Sequence, residues 1–142
     1  MDLDTLNSII DDMSIDVERH GGIWEFTLER VALACMTDLH HDRMRFIAPI
    51  MEVDELTNAQ VVHILEANFH TALDARYATS HGVLYAVFIH PLSSLIEEDA
   101  RSGLRQVVSL VRTFGTHYTS GELVFGTGTP GPDDDDDAEL LN

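Results

Sequence analysis

The sequence predicts an α+β domain: a largely antiparallel five-stranded sheet with three helices, in the order α-β-β-β-α-β-β-α. Three observations carry this prediction. Apolar residues recur every three or four positions in three stretches and every second position in others, so helical and extended segments alternate along the chain. Turn-forming groups ("HGG", "HHDR", "SHG") separate short apolar runs, as they do between antiparallel neighbours. The chain has 142 residues and 44% hydrophobic content, enough for one core and too little for two.

The first helix is drawn by Leu3, Leu6, Ile9, Ile10 and Met13, one apolar stripe with Asp2, Asp4, Asp11 and Asp12 elsewhere. After His20–Gly22, Trp24, Phe26 and Leu28 alternate with Glu25, Thr27 and Glu29, the pattern of a half-buried strand. Val31 to Leu39 is apolar on both parities until Thr37 and suits a central strand. His40 to Arg43 reads as a turn, and Met44 to Met51 as a third strand that should end at Pro49 or lie at an edge, because proline donates no ladder hydrogen bond. Thr57 or Asn58 is the expected N-cap of the second helix, which carries Val61, Val62, Ile64, Leu65 and Phe69.

Leu73, Ala75 and Tyr77 alternate with Asp74, Arg76 and Thr79, and Ser80–Gly82 turns the chain into Val83–Ile89, so the two runs form a hairpin. The second of these strands is apolar on both faces and should lie inside the sheet, covered above and below. Pro91 stops it. Glu97, Glu98 and Asp99 mark the first turn of a last helix with Leu104, Val107, Val108, Leu110, Val111 and Phe114 on its apolar face. Ser94 with Glu97 matches a capping box, and Gly115 is the expected stop. One domain therefore spans 1–115. The segment 116–142 is extended, and its composition predicts disorder from about 127, with Glu122–Phe125 available for transient docking.

Charge narrows the function. The formal net charge is −17, and even without the tail acids (Asp133–Asp137 and Glu139) residues 1–132 carry nineteen acids against eight arginines, a balance of −11. Such a surface repels phosphate backbones and anionic lipid, so neither nucleic acid nor a membrane is the expected partner. Lysine is absent, which excludes a lysine nucleophile or Schiff base. Cys35 is the single cysteine, so no intrachain disulfide and no thiolate cluster can form; a reducing compartment fits. The acidic N-terminal stretch lacks the basic and apolar regions of a signal peptide, and a cytoplasmic location is expected.

Candidate chemistry is sparse. His63, Glu66 and His70 follow i, i+3, i+7 spacing on one helix and could chelate a metal, the basis of an alternative reading as a metal- or ligand-responsive sensor. Surface placement explains them more simply, and no cofactor or metal is expected in the leading reading. His40, His41 and Asp42 form a turn. Cys35 sits among Ala32, Leu33, Ala34 and Met36 as a core thiol would. Ser93 and Ser94 follow His90–Pro91 without a nucleophile-elbow pattern, and capping accounts for them. "GTGTPG" at 126–131 has no lysine and precedes no helix, so it is no phosphate cradle, and the polyaspartate lacks the spaced ligands of a calcium loop. No catalytic residue is assigned.

What remains is an interaction surface. Trp24, Phe26, Tyr77, Tyr85 and Phe88 offer more large apolar groups than one sheet face holds, so self-association into a homodimer is expected through the second helix or the exposed sheet face. Leu65, Phe69 and Tyr85 are the contact candidates.

The phrases "MRFIAPI", a helix ending "LEANF", a hairpin, "HPLSSL" and a closing amphipathic helix resemble type III secretion chaperones and the related YbjN-type family of bacterial sensory-transduction regulators, over roughly residues 3–115. The YbjN-type likeness is closest in "FIHPLSSL" and "FG". The resemblance implies a secretion-chaperone-like fold without catalytic signature. It also implies a small, acidic, dimeric cytoplasmic protein whose partner is a protein segment or effector-like client. A non-enzymatic chaperone-like or regulatory protein-binding module is the function expected.

Overall fold

The computed structural model describes residues 1–114. The expected stop at Gly115, the 116–142 segment and its acidic stretch lie outside the described residues. The elements are α1 (Leu3–Met13), β1 (Ile15–His20), β2 (Ile23–Leu28), β3 (Val31–Asp38), β4 (Arg43–Glu52), a 3-10 turn (Val53–Glu55), α2 (Asn58–His70), β5 (Arg76–Ser80), β6 (Val83–Pro91) and α3 (Glu97–Thr113). The strands form one antiparallel sheet in the order β1-β2-β3-β4-β6-β5.

The sheet thus has six strands where the sequence predicts five. The additional strand is β1, an edge strand whose residues are exposed except for half-buried Val17, so no apolar alternation marks it. Its register is irregular between Ile15 and Glu18, and Asp16 adopts φ +56, as at a bulge. β1 exists because Gly21, at φ +66, lets the chain turn back onto β2.

The helices all pack on one face. Trp24, Phe26, Leu33, Cys35, Met44, Phe46, Ala86 and Phe88 point from the sheet into a core shared with Leu6, Ile9 and Ile10 of α1 and Leu104, Val107 and Val108 of α3. Ile64 and Ala67 of α2 meet Tyr77 and Leu84 beside it. Four of the five large aromatics expected to overfill one face are buried there, and Tyr85 alone points the other way. The Trp24 indole donates to Asn7 Oδ1 at 2.8 Å, which satisfies the one polar atom of a fully buried side chain.

Three strand expectations are corrected. β4 neither ends at Pro49 nor lies at an edge; it runs between β3 and β6 to Glu52. The register shifts between Pro49 and Met51, and a bulge is where a central strand tolerates a residue without an N–H. β6 does lie inside the sheet, but it is covered on one face only: Leu84, Ala86 and Phe88 are buried, whereas Val83, Tyr85 and Val87 are half-buried and Ile89 is exposed. The other strand of its hairpin begins at Arg76, later than Leu73, because the N–H groups of Asp74 and Ala75 are taken by Gln106 Oε1 of α3.

Caps set the helix starts. Asp2 accepts from Thr5 N at 2.8 Å ahead of α1, and these hydrogen bonds hold its carboxyl below the usual range. Thr57 forms a reciprocal capping box with Gln60, and Asn58 is the first buried residue within α2. α3 starts after Ile96 with no side-chain cap, so the Ser94–Glu97 box does not form. Ser93 instead donates from N and Oγ to the Asp42 carboxylate, both at 2.7 Å, tying the segment after β6 to the β3–β4 turn.

Candidate protein-binding surfaces

The second helix carries two apolar stripes. Ile64 and Ala67 face the sheet, whereas Val62, Leu65 and Phe69, at the i, i+3, i+7 spacing of one helix side, face solvent with 43, 63 and 82% of their surface exposed. Leu73, in the segment after the helix, is 68% exposed and lines a separate depression beside Gln106 and Leu110 of α3. An apolar stripe turned to water has no role in the fold of one copy, and contiguous exposed apolar surface marks an interaction site.

Next to this stripe is a groove of about 320 Å³ between α2 and the hairpin, walled by Leu56, Val61, Ile64 and Leu65 and floored by Tyr77 and Leu84. Its size is at the low end of small-molecule sites, and its lining brings no catalytic set together. It suits apolar side chains of a bound segment.

Asn68 fixes the groove's end. Its Nδ2 donates to Tyr77 O at 3.0 Å and its Oδ1 accepts from Tyr77 N at 2.9 Å, so one side chain satisfies both outward main-chain groups of Tyr77 on the edge strand β5. Arg76 Nη1 also donates to the Asn68 carbonyl oxygen. The Tyr77 hydroxyl donates to Leu110 O at 3.3 Å, and burial pushes its pKa up to about 12.

The predicted contact residues fall on two surfaces. Leu65 and Phe69 lie on the exposed stripe of α2, and Leu65 also lines the groove. Tyr85 lies half-buried on the sheet face away from the helices, outside that groove. Sequence reasoning misses Asn68, which gives no signal until β5 is placed beside it.

The remaining candidates are isolated. His63 is half-buried while Glu66 and His70 are exposed, and among the described residues no group of three or more His, Cys, Asp or Glu side chains is placed to hold a metal ion. His41 Nδ1 lies 2.8 Å from Asp38 Oδ2 in the exposed turn, and the hydrogen bonds from His41 lower the Asp38 pKa. Asp42 is lowered likewise by Ser93. Cys35 is fully buried, and desolvation raises its thiol pKa far above the range of a reactive cysteine. Among the described residues no helix is long and apolar enough to cross a membrane.

No known family profile matches the chain, and no curated protein sequence matches it. Solved structures do. A chain of the HopA1–SchA chaperone–effector complex matches with a TM-score of 0.58 at 14% identity, over 80% of this chain and 97% of that one. A chain of the ExsC–ExsE complex matches with a TM-score of 0.56 at 15% identity, over the same shares of 80% and 97%. At these identities the likeness is one of fold, and it agrees with the secretion-chaperone-like architecture expected from the sequence.

Proposed function

We propose that this chain is a non-enzymatic, chaperone-like or regulatory protein-binding module that holds an apolar or amphipathic segment of a client protein and works as a homodimer in the cytoplasm. The observation that carries this is the solvent-facing stripe Val62, Leu65 and Phe69 alongside the groove over Tyr77 and Leu84. An amphipathic segment laid along such a groove inserts anchors at helical spacing, the usual mode of helix-in-groove recognition. Support comes from the fold shared with a chain of a chaperone–effector complex, and from the YbjN-type phrases "FIHPLSSL" and "FG" for a regulatory variant of the same role. The acidic body favours clients with basic flanks.

The test is affinity capture from the native cell with the full chain and with Phe69→Asp. Phe69 is 82% exposed, so its replacement leaves folding within about 0.5 kcal/mol of wild type. A single stoichiometric partner that binds again when both proteins are purified, and is lost with Phe69→Asp, supports the reading. Equal capture by both proteins, or no partner that survives reconstitution, overturns it.

A further inference from the structure

The groove beside α2 lies where the described chain ends. Tyr77, on its floor, is also the residue that Phe114 packs against, with ring centroids 6.1 Å apart. Phe114 follows α3 directly and, with Leu110, borders the cluster of Ile64, Ala67, Tyr77 and Leu84. Residues 115–142 therefore leave the domain within one side chain of the groove.

The sequence of that segment decides which part fits. Leu123, Val124 and Phe125 are its longest apolar run. Every residue lining the groove is uncharged, so it offers apolar contact and no cation for the aspartates of 133–137. Those aspartates are also repelled by the rest of the chain, since residues 1–132 carry a balance of −11. Leu140 and Leu141 follow the same acids and lie much further along the chain, where tethering confers less.

Reach and concentration favour the nearer run. Nine residues from Phe114 to Leu123 extend to about 30 Å, and α2, of 13 residues, is about 20 Å long, so the run can reach every part of the groove. A short tether sets a local concentration on the order of millimolar. A contact of only millimolar strength is then filled about half of the time, and any other ligand of the groove binds about twofold more weakly in consequence.

We infer that Leu123–Phe125 of the same chain occupies the groove between α2 and the hairpin and is displaced when a client segment enters. The domain thus carries its own weak competitor, and the apolar lining is covered between clients. This rests on the client-binding reading proposed above for the competition, but the contact itself is tested without a client.

The experiment compares amide nitrogen–proton correlation spectra of the full chain, wild type beside the double variant Leu123→Asp/Phe125→Asp, with circular dichroism of each. The amides of Leu65, Ala78 and Thr79, which line the groove, are expected to differ between the two proteins, and those of Ala32 and Ala34 on the opposite sheet face to coincide. A synthetic peptide of residues 119–128, added at millimolar concentration to the double variant, should return the groove amides towards their wild-type positions and bind at least about twofold more tightly than it binds wild type. Leu65→Asp, at a position 63% exposed, should abolish the effect of the peptide. Identical spectra, a peptide without effect on the double variant, or equal peptide affinity for the two proteins overturns the inference. Wild-type groove amides that move on dilution place the segment of a second copy in the groove and overturn the intrachain contact. Any client recovered by affinity capture is titrated separately into both proteins: at least about twofold tighter binding to the double variant is expected, and equal binding overturns the competitor role. Failure to recover a client brings down the client-binding reading alone, because the spectra decide the contact independently.

Discussion

A β-carbon on Gly103 would lie 2.7 Å from Cδ2 of Phe88, so the ring on β6 occupies the space that any side chain at this position of α3 would need. Glycine inside a helix costs about 0.5–1 kcal/mol relative to alanine, and here the close approach of helix and sheet outweighs that cost. Phe88 has little room to yield, since it stacks on Phe46 with ring centroids 5.9 Å apart and both rings are buried. Gly103→Ala should therefore destabilise by about 1–3 kcal/mol, against the direction of helix propensity. Urea unfolding measures this, and a more stable variant would mean that the core can repack around the methyl group.

Asn68 should matter more than its half-buried surface suggests. Asn68→Ala leaves both outward main-chain groups of Tyr77 without their partner, a loss of about 1–3 kcal/mol where water does not fully replace it. The Tyr77 amide should exchange faster with deuterium. Asn68→Asp keeps an acceptor for Tyr77 N but offers no donor to Tyr77 O, so it should fall between alanine and wild type. Unchanged exchange in both variants would show that the clamp contributes nothing to edge stability.

Tyr77 predicts the alkaline limit of the fold. Burial raises its pKa from 10.0 to about 12, so the folded form resists deprotonation that the unfolded chain undergoes. A raised pKa means stability is intact below the unfolded value and is lost as pH rises from about 10 towards 12. Tyr77→Phe removes this slope while costing about 1 kcal/mol at neutral pH through the bond to Leu110 O. Denaturant midpoints across that pH range check it; parallel curves for the two proteins would contradict the assignment.

What the sequence made legible followed from periodicity. α1 and α3 each carry one apolar stripe and β2 alternates with one buried face, so their existence and orientation are readable; β3, apolar on both parities, is readable as a strand, but only the fold decides that Leu33 and Cys35 face the core and Ala32 and Ala34 do not. β1 was not, because Ile15 is 64% exposed and the strand contributes little but Val17 to the core; what defines it is hydrogen bonding to β2. On α2 the apolar residues were visible, but two stripes look alike in sequence, and only the position of β5 and β6 decides that Ile64 is buried and Leu65 is not. The spacing of His63, Glu66 and His70 was likewise genuine, yet spacing along a helix fixes direction and not the third dimension in which a ligand set must close.

The Asn68 clamp has a consequence for how the protein behaves when crowded. A sheet can grow into a fibre only if strands add at both ends, and here one end is blocked by a side chain that occupies the hydrogen-bonding groups of Tyr77. The opposite end, β1, is kinked at Asp16 and carries Glu18, Arg19 and His20, a poor template for a flat incoming strand. In a protein with this much exposed apolar surface, the clamp on β5 and the irregular β1 both work against edge-to-edge growth of the sheet.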